Sequence, residues 1–443
     1  MIQIRQDLTA GALEKKVKAL FEISAGKIHS LAAAWRPERG APVFTSDGNY
    51  TSRGWTEWTQ GFQFGAEILQ FDATGEKEFL EAGRAHTVAH MASHVSHTGV
   101  HDHGFNNVNT YGNLLRLMNE GRIAEEPAER QFYELALKVS GAIQAARWSA
   151  IANGGYIYSF NGPHSLFVDT IRSLRALAIS HQLGHALMGE NDKRHSLLLR
   201  LLDHAHATAR YSIYYGEGRD HYDVRGRTAH ESIFNTNDGN YRCPNSQQGY
   251  SPFSTWTRGL AWAMCGFAEQ LEFLRAIGHS EAEPVLLKAA EATCDFYLEN
   301  TPSDGIPYWD TGAPQLYRLA DWAGQPADPF NPFEPVDSSA AAIAAQGLLR
   351  LGKLLGNSKY TQAGLTVADT LFSEPYLSTD PNHQGLILHA VYHRPNAWDR
   401  GGSDGVPRGQ ACMWGDYHAR ELALYLLREI QGKPYLTFWS QRP

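Results

Sequence analysis

Two aspartates sit where this chain is equipped for proton transfer. Asp102 lies in the run His101-Asp102-His103-Gly104-Phe105, and Asp169 lies inside the apolar stretch SLFVDTIRSL at the start of a helical pattern. A carboxyl group in apolar surroundings has its pKa raised and can keep a proton near neutral pH, as a general acid must. A second carboxyl that stays ionised then divides the roles. A carboxylate at a helix entrance is most often a cap for free N–H groups, and Asp337, which opens DSSAAAIAA, reads that way. Aromatic rings crowd the same helix starts: Trp55, Trp58 and Phe62 in one, Trp256 and Trp262 around Arg258 in another. Indole faces suit the stacking of sugar rings, and an arginine among them suits an anion.

The histidines invite a metal reading. His86, His90, His94 and His97 step along one helical face at spacings of four, four and three. No Asp, Glu or Cys shares that stripe and there is no HExxH, so a hydrogen-bonded or solvated face is expected and no metal. His101 differs, because it stands beside Asp102 on a loop. The net charge of −8 and the absence of a Lys/Arg stripe exclude a nucleic-acid footprint. No run approaches the roughly 18 apolar residues of a membrane span. The opening MIQIRQDLTAGALEKKVKAL lacks the pattern of a secretory signal, and Cys243, Cys265, Cys294 and Cys412 show no CxxC spacing, so reduced thiols and a cytoplasmic location are expected. No linker-like segment divides residues 1–443, which are expected to form one domain.

The elements that must position these residues are helices. Apolar spacing near 3.6 predicts about twelve, over 12–34, 55–73, 76–97, 106–120, 127–146, 167–187, 191–213, 256–276, 281–299, 337–355, 358–374 and 411–430. Gly75, Gly121, Gly189, Gly278 and Gly356 each end an apolar run and make short turns, while long loops fill 34–54, 147–166, 214–254, 300–336 and 375–409. Pairing helices across the glycine turns gives hairpins that close on one another as an all-α (α/α)6 barrel, with the long loops, and therefore the site, at one end. Strand patterns are confined to those loops, at YIYSF (156–160) and LILHAVYH (386–393).

On these motifs the chain resembles the unsaturated glucuronyl hydrolases, glycoside hydrolase family 88, and more distantly family 105. WTQGF (58–62), HDHGF (101–105), Asp169, RDHYD (219–223), QGYSPFSTWTRGLAWAMCGF (248–267), PYWDTGAP (307–314), DSSAAAIAAQGLL (337–349), GLILHAVYH (385–393) and WGDYHARELAL (414–424) occur in the family's order. The resemblance implies a barrel enzyme without metal or cofactor that acts on oligosaccharides left by polysaccharide lyases. It would remove a terminal 4,5-unsaturated uronic acid by hydrating the vinyl ether double bond. It assigns acid/base catalysis to Asp169 with Asp102 in support, and substrate contact to Trp58, His101, Phe160, His221, Gln248, Arg258 and Trp262.

The chain departs from the family pattern at Gln247, at Leu260, at Phe160 in place of a tryptophan, in NNVNTYGN after HDHGF, and in extra loop residues at 319–335. A retained reaction with an altered leaving-sugar preference is the expectation. Two other activities suit such a barrel: an inverting glycosidase using Asp102 and Asp169 across a water, and a sugar epimerase using two histidines. A glycan-binding protein without catalysis is a third possibility, against which both aspartates speak.

Overall fold

Alanine and glycine decide which helices can lie inside. In the computed structural model, which describes residues 1–54, 57–399 and 404–439, the segment Ser338–Gly352 (SSAAAIAAQGLLRLG) is buried on every side. The helices are α1 (Glu14–Ala34), α2 (Gln60–Thr74), α3 (Lys77–His90, continued by Ala92–Val95) and α4, a π-helical stretch Gly104–Gly112 running into Asn113–Asn119. They continue as α5 (Pro127–Ala146), α6 (Thr170–Ser173 and Arg175–Gln182), α7 (Leu197–Tyr211), α8 (Thr257–Ala276), α9 (Glu283–Glu299), α10 (Ser338–Leu355), α11 (Ser358–Leu371) and α12 (Met413–Ile430). The even-numbered helices touch in sequence, α2 to α4, α6, α8, α10 and α12, and α12 returns to α2, so the inner ring closes. Each odd-numbered helix packs outside its inner neighbour. Trp55 lies outside the described residues.

Several boundaries differ from the sequence expectation, each for a local reason. The turn after α6 is made by Gly184 (φ 75°), not Gly189, whose φ of −100° any residue adopts. Leu187–Met188 (β6) and Arg194–His195 (β7) pair as a small hairpin there, so α7 begins only at Leu197, where Ser196 Oγ caps Leu199 N. The expected strand at 386–393 is reduced to one isolated bridge, Leu377 with Ile387. Its backbone N–H groups are taken by carboxylates instead: Leu386 and Ile387 donate to Asp416, and Tyr392 and His393 to Asp399.

The long loops do carry strands. Pro42–Ser46 (β1) pairs with Asn49–Ser52 (β2), and Trp148–Ile151 (β3) with Gly154–Ile157 (β4). Ser165–Phe167 (β5), Glu231–Phe234 (β8) and Tyr241–Asn245 (β9) form one sheet in the order β5-β8-β9. Phe167 faces Glu231 in that register, and Val168 N donates to His230 O at 3.0 Å. The sheet thereby ties the entrance of α6 to a histidine sixty-one positions further on, counted from Asp169 to His230.

The barrel axis is filled with charge. Arg172 grips both oxygens of Glu269 at 3.0 Å and Glu421 at 2.7 Å, and Arg350 reaches Glu272 at 2.9 Å, all buried. Burial pushes the Glu272 carboxyl up to about 7 against the opposing charge of Arg350. Arg172 also contacts His418 and lies 6.0 Å from the ring centre of Trp262, so this network supports an aromatic layer above it.

Candidate active site

Above that layer, at the long-loop end, is a cavity of about 520 Å³, a size suited to a small ligand. Trp58, Phe105, Trp256, Trp262 and Trp398 supply aromatic faces, and Asp102, Asp169, Asn161, Gln247, Gln248, Arg258, His393 and Asn396 supply polar groups. Trp58 stacks on Trp414 with ring centres 4.9 Å apart, and Phe105 lies 4.9 Å from Trp262, which fixes the rings against one another.

The two aspartates meet at one imidazole. His101 Nε2 stands 3.2 Å from Asp169 Oδ1 and 3.6 Å from Asp102 Oδ1. The loop that carries His101 and Asp102 is held at several points. Ser173 Oγ and Gln144 Nε2 both donate to His101 O, and Gly104 N donates to Ser173 Oγ. Gly104 is a glycine by necessity, because a Cβ there would stand 2.3 Å from Ser173 O. Asp169 occupies the position before α6 but makes no capping bond; its carboxylate turns to His101 instead. Asp337 does cap α10, accepting from Ser339 N at 3.1 Å.

Electrostatics divide the pair opposite to the sequence expectation. Burial, the largest influence, pushes Asp102 up to about 6 against the opposing charge of His101. Asp102 Oδ2 is buried without a hydrogen-bond partner, which fits a carboxyl that resists ionisation. Asp169 is equally buried, yet the hydrogen bond and charge of His101, joined by His230 and Arg258, hold it below the ordinary value. His101 pays for burial with a lowered pKa, but Asp102 and Asp169 together raise it above that of a free imidazole. Below about pH 6 the free protein therefore holds a proton on Asp102, with His101 favoured as imidazolium and Asp169 as the ionised partner.

Trp58, Phe160, Gln248, Arg258 and Trp262 line the cavity with the two aspartates. His101 is brought to them but is fully buried behind the carboxylates, with its ring 5.3 Å from that of Phe160; it positions them rather than facing a ligand. His221 is not brought to the cavity. Its loop is folded outward by Asp223, whose carboxylate accepts from the N–H groups of Tyr215, Gly216, Glu217 and Arg219. The histidine near Asp169 is His230, whose Nδ1 accepts from Gln247 N at 3.0 Å and whose Nε2 is buried without a partner. The sequence contained both histidines on one loop, and only the β5-β8 pairing separates them. Asn161, Tyr392, His393 and Trp398 were also unassigned by sequence, although the segment GLILHAVYH ends with Tyr392 and His393 and lies just before Trp398.

Arg258 is buried between Trp256 and Trp414, its guanidinium carbon 4.6 and 5.0 Å from their ring centres. It donates to Asp337 Oδ2 (2.7 Å), Val391 O (2.5 Å), Tyr392 O (2.7 Å) and Gln248 Oε1 (2.9 Å). With its Oε1 taken, Gln248 is left to offer Nε2 as a donor.

The histidine stripe does have a carboxylate, contributed by a neighbouring helix. His86 Nδ1 lies 2.9 Å from Glu67 Oε2, and its pKa is raised by that bond; His86 also stacks on Phe64. Among the described residues no cluster of three or more His, Cys, Asp or Glu could hold a metal ion. Prolonged dialysis against a chelator should leave kcat unchanged; a loss restored by zinc or manganese would show that a metal takes part.

No family model matches the sequence. The chain is 27% identical over 414 residues to the unsaturated glucuronyl hydrolase of Bacillus sp. strain GL1, covering 90% of this chain and 92% of that protein. It is 26% identical over 370 residues to the unsaturated glucuronyl hydrolase of Formosa agariphila, covering 82% and 78%. A crystal structure of an unsaturated glucuronyl hydrolase specific for heparin superposes with a TM-score of 0.74 at 20% identity, over 95% of this chain and 98% of that one. In sequence over most of its length and in fold over nearly all of it, this chain is a relative of the unsaturated glucuronyl hydrolases.

Proposed function

We propose that this protein removes a 4,5-unsaturated uronic acid from the non-reducing end of a lyase-generated oligosaccharide by adding water across the C4=C5 bond. The observation that carries the reading is the pair of buried carboxyls, Asp102 and Asp169, sharing His101 in an aromatic cavity. An inverting glycosidase needs its carboxyls roughly 6.5–9.5 Å apart with a sugar and a water between them. Here both Oδ1 atoms lie within 3.6 Å of one imidazole nitrogen, which ties the two carboxyls to each other through a shared proton.

The uronate carboxylate is received by Gln248 Nε2, whose amide is polarised and oriented by the Arg258 guanidinium. Its entry adds a negative charge and displaces water near Asp169, and both effects raise the pKa of that carboxyl. Asp169 thus takes up a proton with substrate bound and delivers it to C4. The developing positive charge at C5 and the ring oxygen is stabilised by the carboxylate just formed. Asp169 then takes a proton from the water that adds to C5, which restores the protonated form it held in the substrate complex; it gives that proton back to solvent when the products leave. The hemiketal at C5 opens to a ketone and releases the leaving sugar from C1. Asp102 and His101 keep a proton and a positive charge beside Asp169 through the cycle.

The protein incubated with unsaturated disaccharides from several lyases should abolish the ultraviolet absorbance of the double bond, and in heavy water should place deuterium at C4. Release of the sugar with the double bond intact would overturn the reading. The same cluster predicts the pH dependence. Asp102, raised to about 6, loses its proton as pH rises through that value, so kcat/KM should fall above about pH 6 as the shared proton is lost. Asp102→Asn should remove that limb; a wild-type profile flat from about pH 5 to 8 would contradict the assignment. A cytoplasmic location fits the four unpaired cysteines, three of them buried, and among the described residues no helix is long and apolar enough to cross a membrane.

A further inference from the structure

A second cleft, of about 470 Å³, shares no lining residue with the cavity that holds the aspartates. The segment 386–393 serves both: Leu388 and His389 line the second cleft, Tyr392 and His393 the first. The rest of the lining comes from residues 374–380, from Arg408 and Gly409, and from Phe330 on the loop 319–335, where the chain departs from the family pattern. A single exposed ring on a loop is ordinary, but Phe330 is firmly mounted. It is 61% exposed, while the buried Asn331 fixes the loop beneath it. Asn331 Nδ2 donates to Asp328 O and Glu334 O, and its Oδ1 accepts from Phe333 N and Glu334 N. Phe330 N itself donates to Asp328 Oδ1 at 2.8 Å.

The ring of Phe330 stands edge to face with that of His389, centres 5.0 Å apart. His389 is 4% exposed and holds a left-handed backbone conformation (φ 66°), which a non-glycine residue keeps only where its surroundings impose it. Two backbone bonds do so here, Ser338 N to His389 O and Ala390 N to Gln410 O. His389 Nδ1 accepts from Gly409 N at 3.2 Å, so the ring proton sits on Nε2. Burial and the charge of Arg408 keep the ring neutral, with its pKa pushed down to about 4. Among the described residues no group bonds to Nε2, which leaves an N–H donor for a ligand. Arg408 adds another: its Nη2 meets Asp404, and its Nε is buried without a partner. Glu374 and Asp380 supply acceptors on the other segment of the lining. Sugar hydroxyls both give and accept hydrogen bonds, and the C–H face of the ring stacks on an aromatic one. The charge disfavours an anion. Asp404 meets Arg408, and the remaining acids, Asp328, Glu374 and Asp380, outnumber the buried Lys27 that lies against Asp380.

We propose that this cleft is a second saccharide site, which binds an uncharged stretch of glycan on Phe330, His389 and Arg408. It is separate from the catalytic cavity and does not depend on the assigned reaction.

The test titrates neutral tetrasaccharides of glucose, galactose, mannose and xylose into the protein by calorimetry, and at least one should bind. Phe330→Ala, at an exposed position, should weaken that binding about tenfold and leave kcat/KM on an unsaturated disaccharide unchanged. His389→Asn tolerates the left-handed backbone but withdraws the N–H from the cleft, and should also weaken binding about tenfold. Gln248→Ala, which alters the catalytic cavity, should bind the tetrasaccharide as the parent does. A sulfated form of the same tetrasaccharide should bind about tenfold more weakly than the neutral one. The site is overturned if none of the four neutral tetrasaccharides binds, if sulfate improves binding, or if a folded Phe330→Ala protein binds as tightly as the parent. Binding lost in Gln248→Ala would place the sugar in the catalytic cavity and overturn it too. None of these results touches the reaction, which is read from the disaccharide.

Discussion

Asp169→Asn should fold as the parent does and lose at least about 10²–10⁴-fold in kcat, the usual share of a positioned proton donor and acceptor. The geometry makes this a clean substitution. His101 Nε2 donates to Asp169 Oδ1 at 3.2 Å, and an asparagine oxygen can accept the same bond, so the loop and ring stay in place. What disappears is the capacity to give a proton to C4 and to take one from water. Asp102→Asn removes a carboxyl that already resists ionisation and touches neither reacting atom, so its kcat should fall less. Circular dichroism melting alongside turnover separates chemistry from folding. A Asp169→Asn protein with near-parental kcat on a consumed substrate would sink the assignment of both steps to this residue.

Arg258→Ala should be costly in two separable ways. The guanidinium neutralises Asp337, which is buried at the start of α10, and satisfies two backbone oxygens. Removing one partner of a buried pair typically costs about 3–5 kcal/mol, because the other charge is left without compensation. The second cost falls on the ligand: Gln248 loses the group that fixes its amide, and the uronate loses a charge-assisted receptor worth about 1.5–3 kcal/mol, a ten- to hundred-fold rise in KM. Gln248→Ala should show the second effect without the first. Urea unfolding and steady-state kinetics on both variants check this. A folded Arg258→Ala protein with an unaltered KM would place carboxylate recognition elsewhere, and the methyl ester of the substrate, which lacks the charge, provides the control.

The helical architecture was legible because the inner and outer helices differ in composition and the apolar spacing is regular. The stretch SSAAAIAAQGLL can pack on all sides only as an inner helix, whereas α7 carries Arg200, Asp203 and Arg210 outward. Asp102 and Asp169 stood out for the same reason, as acids placed within apolar runs. What the sequence could not show were relations made by the closed chain. The protonation order of the two aspartates depends on His101 contacting both, sixty-eight positions from Asp169. Glu67 reaches His86 from another helix, so a stripe that read as isolated is paired. His221 and His230 differ only in which of them the β5-β8 register carries inward. The missing strand at 386–393 was likewise undecidable, because its N–H groups were claimed by Asp416 and Asp399, both distant in pattern if not in number.

The charged axis and the aromatic layer above it make the cavity a blind well rather than a tunnel. Arg172, Glu269, Glu421 and His418 close the barrel beneath Trp262, so nothing can pass through to the short-turn end. A polymer cannot be threaded, and an internal sugar cannot reach Asp169 without its neighbours colliding with the floor. Only a terminus fits, which makes the position of the cut a property of the barrel's shape. Both products must also back out by the mouth through which the substrate came. Because each lyase fragment carries a single unsaturated uronate, every oligosaccharide is cut once, and it leaves with a saturated end that the well no longer accepts.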